Sequence, residues 1–355
     1  MATQELRGAY DDFEVEDTLL LKDFEPVTIL KQSAHIPEKA KFPAVDAHVH
    51  LDETEGQSAG SYLRLMDEVG LEACVSIQLL KKEDELSGYL KRFSRAHPDR
   101  FKVVIWVGLK ELEKTGKVDH FMDWMKRFKD QGVAGIKFWK DLGLTARDPE
   151  GSLWKINDPR LDPVWDQAAG LDLPIIFHTA DPDAFFQPLD RFNERYEELI
   201  RHPDWSFADT LKFPPKELVL SQQEEVIRRH PRTRFWAAHC AARGENLSEL
   251  ARMLESYPNF YCDTSARINE LGRQPWTARE LLIRFADRIA FGSDLEPEAR
   301  MYRLCWRFYE TRDEYWDYPS HPSRQGRWKV HSLGLPDETL KKIYRDTAWN
   351  FYWKD

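Results

Sequence analysis

The sequence predicts a (β/α)8 barrel, preceded by an N-terminal arm over residues 1–42 and carrying an insertion over 181–215. Three observations lead there. Eight short apolar, β-branched runs recur beyond residue 43. Most are separated by amphipathic stretches with helical spacing. The runs are apolar on both faces, as a parallel sheet covered by helices requires.

Residues 1–42 have mixed charge and weak periodicity, and read as an arm that carries a short strand or packs over the barrel. The runs then follow at 45–51 (VDAHVHL), 73–80 (ACVSIQLL), 101–109 (FKVVIWVGL), 133–139 (VAGIKFW), 174–180 (PIIFHTA), 234–241 (RFWAAHCA), 260–266 (FYCDTSA) and 289–294 (IAFGSD). Helical spacing marks 58–69, 82–97, 118–130, 160–170, 221–230, 246–256 and 277–286. An open doubly wound sheet is the alternative; eight strands and no glycine-rich phosphate loop speak against it.

The longest gap lies between the fifth and sixth runs. Residues 181–215, rich in Pro, Phe and Asp, fill it where barrel active sites receive their loops. They read as a lid or substrate wall, or as a helical excursion that only buries surface. Beyond the eighth run, 296–310 and 336–350 read as helices. The segment between them is a long loop or a dimer contact, and Trp306, Tyr309, Tyr315, Trp316 and Tyr318 suit a dimer surface or an aromatic core equally well.

Composition narrows the function. The 355 residues carry 42% apolar and 13% aromatic side chains, enough for one large core. A net charge of −10 without a basic stretch argues against a nucleic-acid partner. No segment approaches the ~18 continuous apolar residues of a membrane span. The polar N-terminus lacks the apolar region of a signal peptide, so a cytoplasmic location is expected. Cys74, Cys240, Cys262 and Cys305 show no paired spacing and read as buried free thiols. The expected partners are a small-molecule substrate and a second copy of the chain.

Eleven histidines are present. His97, His202 and His230 each precede a proline, and those of AHPDR and RHPRT close helices. His35, His120, His321 and His331 carry no chemical signal. The other four lie at the ends of runs: His48 and His50 on the first, His178 on the fifth, His239 on the sixth. Asp294 closes the eighth. Strand alternation puts Asp46, His48 and His50 on one face. A single histidine at a strand end is more often a satisfied core residue than a ligand. Four, with an aspartate, meeting at the C-terminal mouth of a barrel are hard to obtain from packing alone. Imidazole with carboxylate is the donor set that Zn²⁺ and similar ions prefer, one position staying open for water.

The H-x-H of DAHVHL, the later FHT, AHC and FGSD, and the barrel order resemble the amidohydrolase superfamily. Within it the chain is most similar to the amidohydrolase-2 group, which includes aminocarboxymuconate-semialdehyde decarboxylase. The resemblance implies that His48, His50, His178 and Asp294 bind one divalent ion, usually zinc, with manganese, iron or cobalt as alternatives. It implies that His239 is an acid/base or an additional ligand. Lys137 stands where binuclear members carry a carboxylated lysine. The group's sites are mononuclear, so Lys137 is expected as a pocket cation or as a lysine paired with a carboxylate.

A metal with one open position lowers the pKa of bound water from 15.7 to roughly 7. The expected enzyme is therefore a metal-dependent hydrolase of a small amide, ester or lactone, with His239 and Asp294 handling the proton. The alternative is a nonoxidative decarboxylase of an aromatic or unsaturated acid. A non-catalytic metal-binding scaffold is a third. Position alone nominates Trp139, Lys140, Arg243, Arg267, Glu270, Phe185 and Phe186 as substrate contacts, beside the Lys137 that the resemblance suggests. An arginine beside the metal would clamp a carboxylate and favour an organic acid.

Overall fold

The computed structural model describes residues 19–51, 58–79, 83–294, 297–318 and 325–354. Residues 1–18 of the expected arm and 319–324 of the long C-terminal loop lie outside them.

Eight strands form one parallel sheet in sequence order: β1 (Ala44–Val49), β2 (Leu71–Leu79), β3 (Phe101–Trp106), β4 (Gly135–Phe138), β5 (Ile175–Phe177), β6 (Phe235–Ala237), β7 (Phe260–Asp263) and β8 (Ile289–Ala290). A doubly wound sheet would reverse its order at the middle; this one does not. Two backbone hydrogen bonds close the ring between β1 and the residues after β8. Ala47 N–H donates to Phe291 O (3.0 Å) and Asp294 N–H to His48 O (2.7 Å).

Helices cover the ring because each brings an apolar stripe to it. In Ala59–Val69, Tyr62, Met66 and Val69 face inward, three or four residues apart. Ser58 and Ser61 start that helix with a reciprocal capping box, and Gly70 ends it in the left-handed region. Burying each such side chain stabilises by about 1.5–3 kcal/mol.

Inside the ring, Val45, Val75, Ile77, Val104, Ile176 and Trp236 form an apolar cluster with Phe351 and Tyr352 of the C-terminal helix. Trp236 packs against Phe351 at 4.8 Å between ring centroids. Arg234, just before β6, donates to Phe351 O (2.7 Å), so this helix stops the barrel at the N-terminal ends of its strands. The C-terminal ends are left for chemistry. Trp306, Tyr309 and Trp316 are buried, so most of the C-terminal aromatic group is core; Tyr315 is exposed. Among the described residues no helix is long and apolar enough to cross a membrane.

Residues up to Ser33 form a unit of their own. Its described part is a short turn at Leu21–Asp23 followed by extended, exposed chain. From Ala34 the chain belongs to the barrel: His35 Nδ1 bonds Asp313 Oδ1 (2.6 Å) and Ala40 N–H donates to Val69 O (3.0 Å). The 181–215 segment consists of single turns, Asp183–Phe186, Tyr196–Leu199 and Pro203–Trp205. Phe185, Leu199 and Phe207 are buried within it. It is fastened by Arg195, which is buried and paired with both Glu198 and Glu270.

Candidate metal centre

The centre is built from strand ends. His48 and Lys137 lie within β1 and β4, and Asp263 ends β7. His50, His178, His239 and Asp294 follow β1, β5, β6 and β8 within four residues. The predicted sharing of one face by Asp46, His48 and His50 is not seen. Between Asp46 and Val49, β1 slips against β2, three residues advancing where β2 advances two. A bulge of this kind breaks the period-two alternation. Asp46 turns outward and accepts from Ser293 Oγ (2.5 Å) and Tyr302 OH (2.8 Å), the latter on the helix Ala299–Glu310. Burial pushes its carboxyl up to about 6, against those hydrogen bonds. His48 turns the other way.

His48 Nδ1 lies 3.2 Å from Asp263 Oδ2 and donates to it. Its Nε2 lies 3.0 Å from Lys137 Nζ and 3.2 Å from Asp294 Oδ1. His50 Nδ1 donates to Ile77 O (3.0 Å), and its Nε2 lies 3.0 Å from the same Asp294 oxygen. His239 Nδ1 donates to Ser265 O (3.0 Å) and lies 3.9 Å from Asp294 Oδ2. One ligand atom from each of His48, His239 and Asp294 falls within 4.8 Å of the others. His178 meets His239 edge to face at 4.4 Å, and its Nε2 lies 3.4 Å from Asp181 Oδ1. Of the expected set, His48, His50 and Asp294 are in direct contact. His239 completes the tightest trio, and His178 stands behind it.

The donor chemistry fits a cation. A ligating imidazole must be neutral. Burial keeps His239 well below its ordinary pKa and holds His178 down at about 4. His48 differs. Burial and Lys137 disfavour its charge, but Asp294 and Asp263 on either side outweigh them and raise it. Burial lowers the pKa of Lys137, partly countered by Asp294 and Asp263. Asp263 is held low despite its burial, chiefly by His48, then by His239 and Ser265. An anionic Asp263 fixing His48 through Nδ1 is the arrangement that orients metal-bound histidines.

Asp263 was not nominated from sequence, although a lone acid in the apolar run FYCD is itself a signal. It also accepts from Trp236 Nε1 (2.8 Å), from the His239 amide (2.9 Å) and from Ser265 Oγ. Asp181, which binds both Lys140 and His178, was missed as well.

The backbone turns sharply after β6. His239, Cys240, Ala241 and Ala242 all have φ between 53° and 61°, and Asp294 has φ of 58°. Left-handed backbone at non-glycine residues is strained and collects at functional sites.

The nominated substrate contacts separate by position. Trp139 stands edge-on to His178 at 6.2 Å. Arg267 is buried, donates to Ala266 O (2.8 Å) and lies near enough to His239 to disfavour its charge. Lys137 is inside the centre itself. Arg243 is turned into the body, donating to Gln223 Oε1 and Ala241 O (both 2.9 Å). Glu270 is buried against Arg195. Phe185 is buried within the insertion and stacks on Trp205 at 6.2 Å; Phe186 is partly buried and stacks on Phe207 at 5.2 Å.

Comparison with known proteins adds three findings. The amidohydrolase family model Amidohydro_2 matches residues 88–353, from the helix before β3 to the C-terminal helix, leaving β1 and β2 outside. No curated protein matches the sequence. Solved structures share the fold. A dihydroxybenzoic acid decarboxylase from Polaromonas sp. JS666, with bound manganese and the inhibitor 2-nitroresorcinol, superposes with a TM-score of 0.54 at 14% identity, covering 88% of this chain and 97% of its own. An uncharacterized TIM-barrel protein from Bordetella bronchiseptica gives 0.55 at 13% identity, covering 87% and 98%. A 2,6-dihydroxybenzoate decarboxylase complexed with 2,6-dihydroxybenzoate gives 0.52 at 16% identity, covering 88% and 99%.

Proposed function

The chain belongs to the amidohydrolase family, and from that premise we propose that it is a zinc-dependent hydrolase of a small amide, ester or lactone, its substrate an organic acid. The observation that carries the reading is the approach of His48 and His50 to one oxygen of Asp294, at 3.2 and 3.0 Å, with His239 beside them within 4.8 Å of His48 and Asp294.

His48, His50, His178 and Asp294 would hold the ion. When bound, it lowers the pKa of water from 15.7 to about 7 and polarises a carbonyl oxygen. The chain's own groups do the rest. Asp263 fixes the ring of His48. The Ser265 carbonyl holds the proton on Nδ1 of His239, which leaves Nε2 as the basic nitrogen of that ring. A neutral buried imidazole there accepts a proton from water and returns it to the leaving group. Lys137 and Arg267 supply positive charge for a developing oxyanion or a substrate carboxylate. Trp139 forms an apolar wall beside His178.

A second reading is nonoxidative decarboxylation of an aromatic or unsaturated acid. Its support is the activity carried by two of the fold neighbours, and the same donor set serves both reactions.

The test supplies zinc-loaded protein with lactones, amides and esters, following acid release, and with aromatic and unsaturated acids, following CO2. Hydrolysis that a chelator abolishes and zinc restores is the expected result. CO2 alone would replace the first reading with the second. Two variants assign the imidazoles: His178→Ala is expected to lose both metal and turnover, and His239→Ala to keep metal and lose turnover. Loss of metal from His239→Ala would make His239 a ligand.

A further inference from the structure

A cavity of about 940 Å³ opens at the C-terminal ends of β2, β3 and β4, against the helix Asp119–Gln131. That volume lies in the range of small-molecule sites. Its walls are apolar and aromatic: Trp106, Leu109, Trp124, Phe128 and Trp139. Trp139 ties it to the metal centre. Its ring packs on Trp106 at 4.8 Å and stands edge-on to His178 at 6.2 Å. One indole thus belongs to both spaces.

The polar groups of the cavity are one-sided. Among the described residues its lining offers three carboxyls, Glu111, Glu113 and Asp141, against one ammonium, Lys110. Burial, with Glu113 adding repulsion, pushes the Asp141 carboxyl up to about 7. Aromatic faces and surplus carboxyls together suit a cationic donor on an apolar stem.

We propose that this cavity is a second subsite, which takes an arylalkylamine arm of the substrate while the reacting group lies at the metal centre. That the arm belongs to the substrate rests on the proposed hydrolase; the chemistry of the cavity does not.

The experiment uses zinc-loaded full-length protein and three probes: 2-phenylethylamine, 3-phenylpropionate, and a hydroxamate extended by a phenylalkylamine, with acetohydroxamate as its reference. Binding is read by calorimetry and tryptophan fluorescence. The amine is expected to bind at least about tenfold more tightly than the acid. The extended hydroxamate is expected to exceed acetohydroxamate by about a hundredfold, because both ends engage one molecule. Gly108 lines the cavity, and a Cβ built on it meets no atom within 4 Å. Gly108→Phe therefore fills open space, and it is expected to remove both gains while zinc content and Tm stay near wild type. Glu113→Gln is expected to weaken the amine about tenfold. Equal binding of acid and amine, no amine binding, or insensitivity to Gly108→Phe would each overturn the subsite. Amine binding that persists while neither hydroxamate binds would remove the metal reading and leave the cavity's chemistry standing.

Discussion

His50 Nε2 lies 3.0 Å from Asp294 Oδ1, although 244 residues separate the two in the chain. The other nitrogen of the ring donates to the Ile77 carbonyl. In the neutral tautomer this leaves a lone pair facing a carboxylate. His48 repeats the pattern, with Nδ1 on Asp263 and Nε2 3.2 Å from the same Asp294 oxygen. Electron-rich atoms held this close need positive charge among them. A proton on His48 or the ammonium of Lys137 supplies it here; a divalent ion with several ligand bonds supplies it better.

Asp263→Asn tests the support of that arrangement. The amide keeps one acceptor oxygen for the His239 and Ser265 amides. It loses the charge that fixes His48. Removing such a partner lowers metal affinity 10–100-fold, on the order measured in other zinc sites. Competition for zinc against a chromophoric chelator reads the change. Wild-type affinity in the variant would separate Asp263 from the centre.

The barrel was legible because its signals are local: apolar runs of six to nine residues, helical spacing between most of them, and His-Pro at two helix ends. The histidine ends of β1, β5 and β6 were legible for the same reason. Strand lengths were not. The run IAFGSD gives only Ile289–Ala290 as strand, since Phe291 and Asp294 leave β8 to bond with β1. The bulge that separates Asp46 from His48 depends on pairing with β2, which alternation within β1 cannot reveal. Arg195 with Glu270 joins residues 75 apart and has no sequence signature. Glu270 therefore read as a substrate contact.

That pair gives a stability prediction. Arg195 and Glu270 are both buried. Burial alone would raise the carboxyl, but Arg195, Arg267 and Arg273 hold it below its ordinary value. Arg195→Ala leaves Glu270 and Glu198 without their nearest cation, at a cost of roughly 3–5 kcal/mol. Arg195→Met combined with Glu270→Leu and Glu198→Gln removes all three charges and is expected to cost far less. Urea midpoints of the wild type, single and triple variants measure the difference. An equal loss in both would assign the cost to packing of the insertion.

Ala242 ends the four-residue left-handed turn that positions His239, with φ of 56°. An L-residue there is strained by roughly 1–2 kcal/mol, which glycine does not incur. Glycine also loses more freedom on folding, which returns part of that gain. Ala242→Gly is expected to raise stability by about 0.5–1 kcal/mol and leave metal content unchanged. A lower urea midpoint would mean that the Ala242 methyl contributes more by packing than its backbone loses by strain.

Asp141 makes stability depend on pH. Folded, its carboxyl keeps a proton up to about 7; at its ordinary value of 3.8 the unfolded chain has already lost it. Between those values the folded state binds more protons, so stability falls as pH rises across the window. Below 3.8 both states are protonated and no slope remains; above 7 both are ionised and the full penalty stands. The side chain is partly in contact with solvent, which reduces the effect to roughly 1–2 kcal/mol. Asp141→Asn keeps an acceptor for the Leu142 amide, which bonds Oδ1 at 3.0 Å, and cannot ionise. Asp46, raised to about 6, gives a slope of the same sign in both proteins and cancels on subtraction. The stability of the variant minus that of the wild type should therefore climb between pH 4 and 7 and then level off, in urea titrations at each pH. A difference that stays flat across that range would place the Asp141 carboxyl at an ordinary value, ionised at neutral pH beside Glu111 and Glu113.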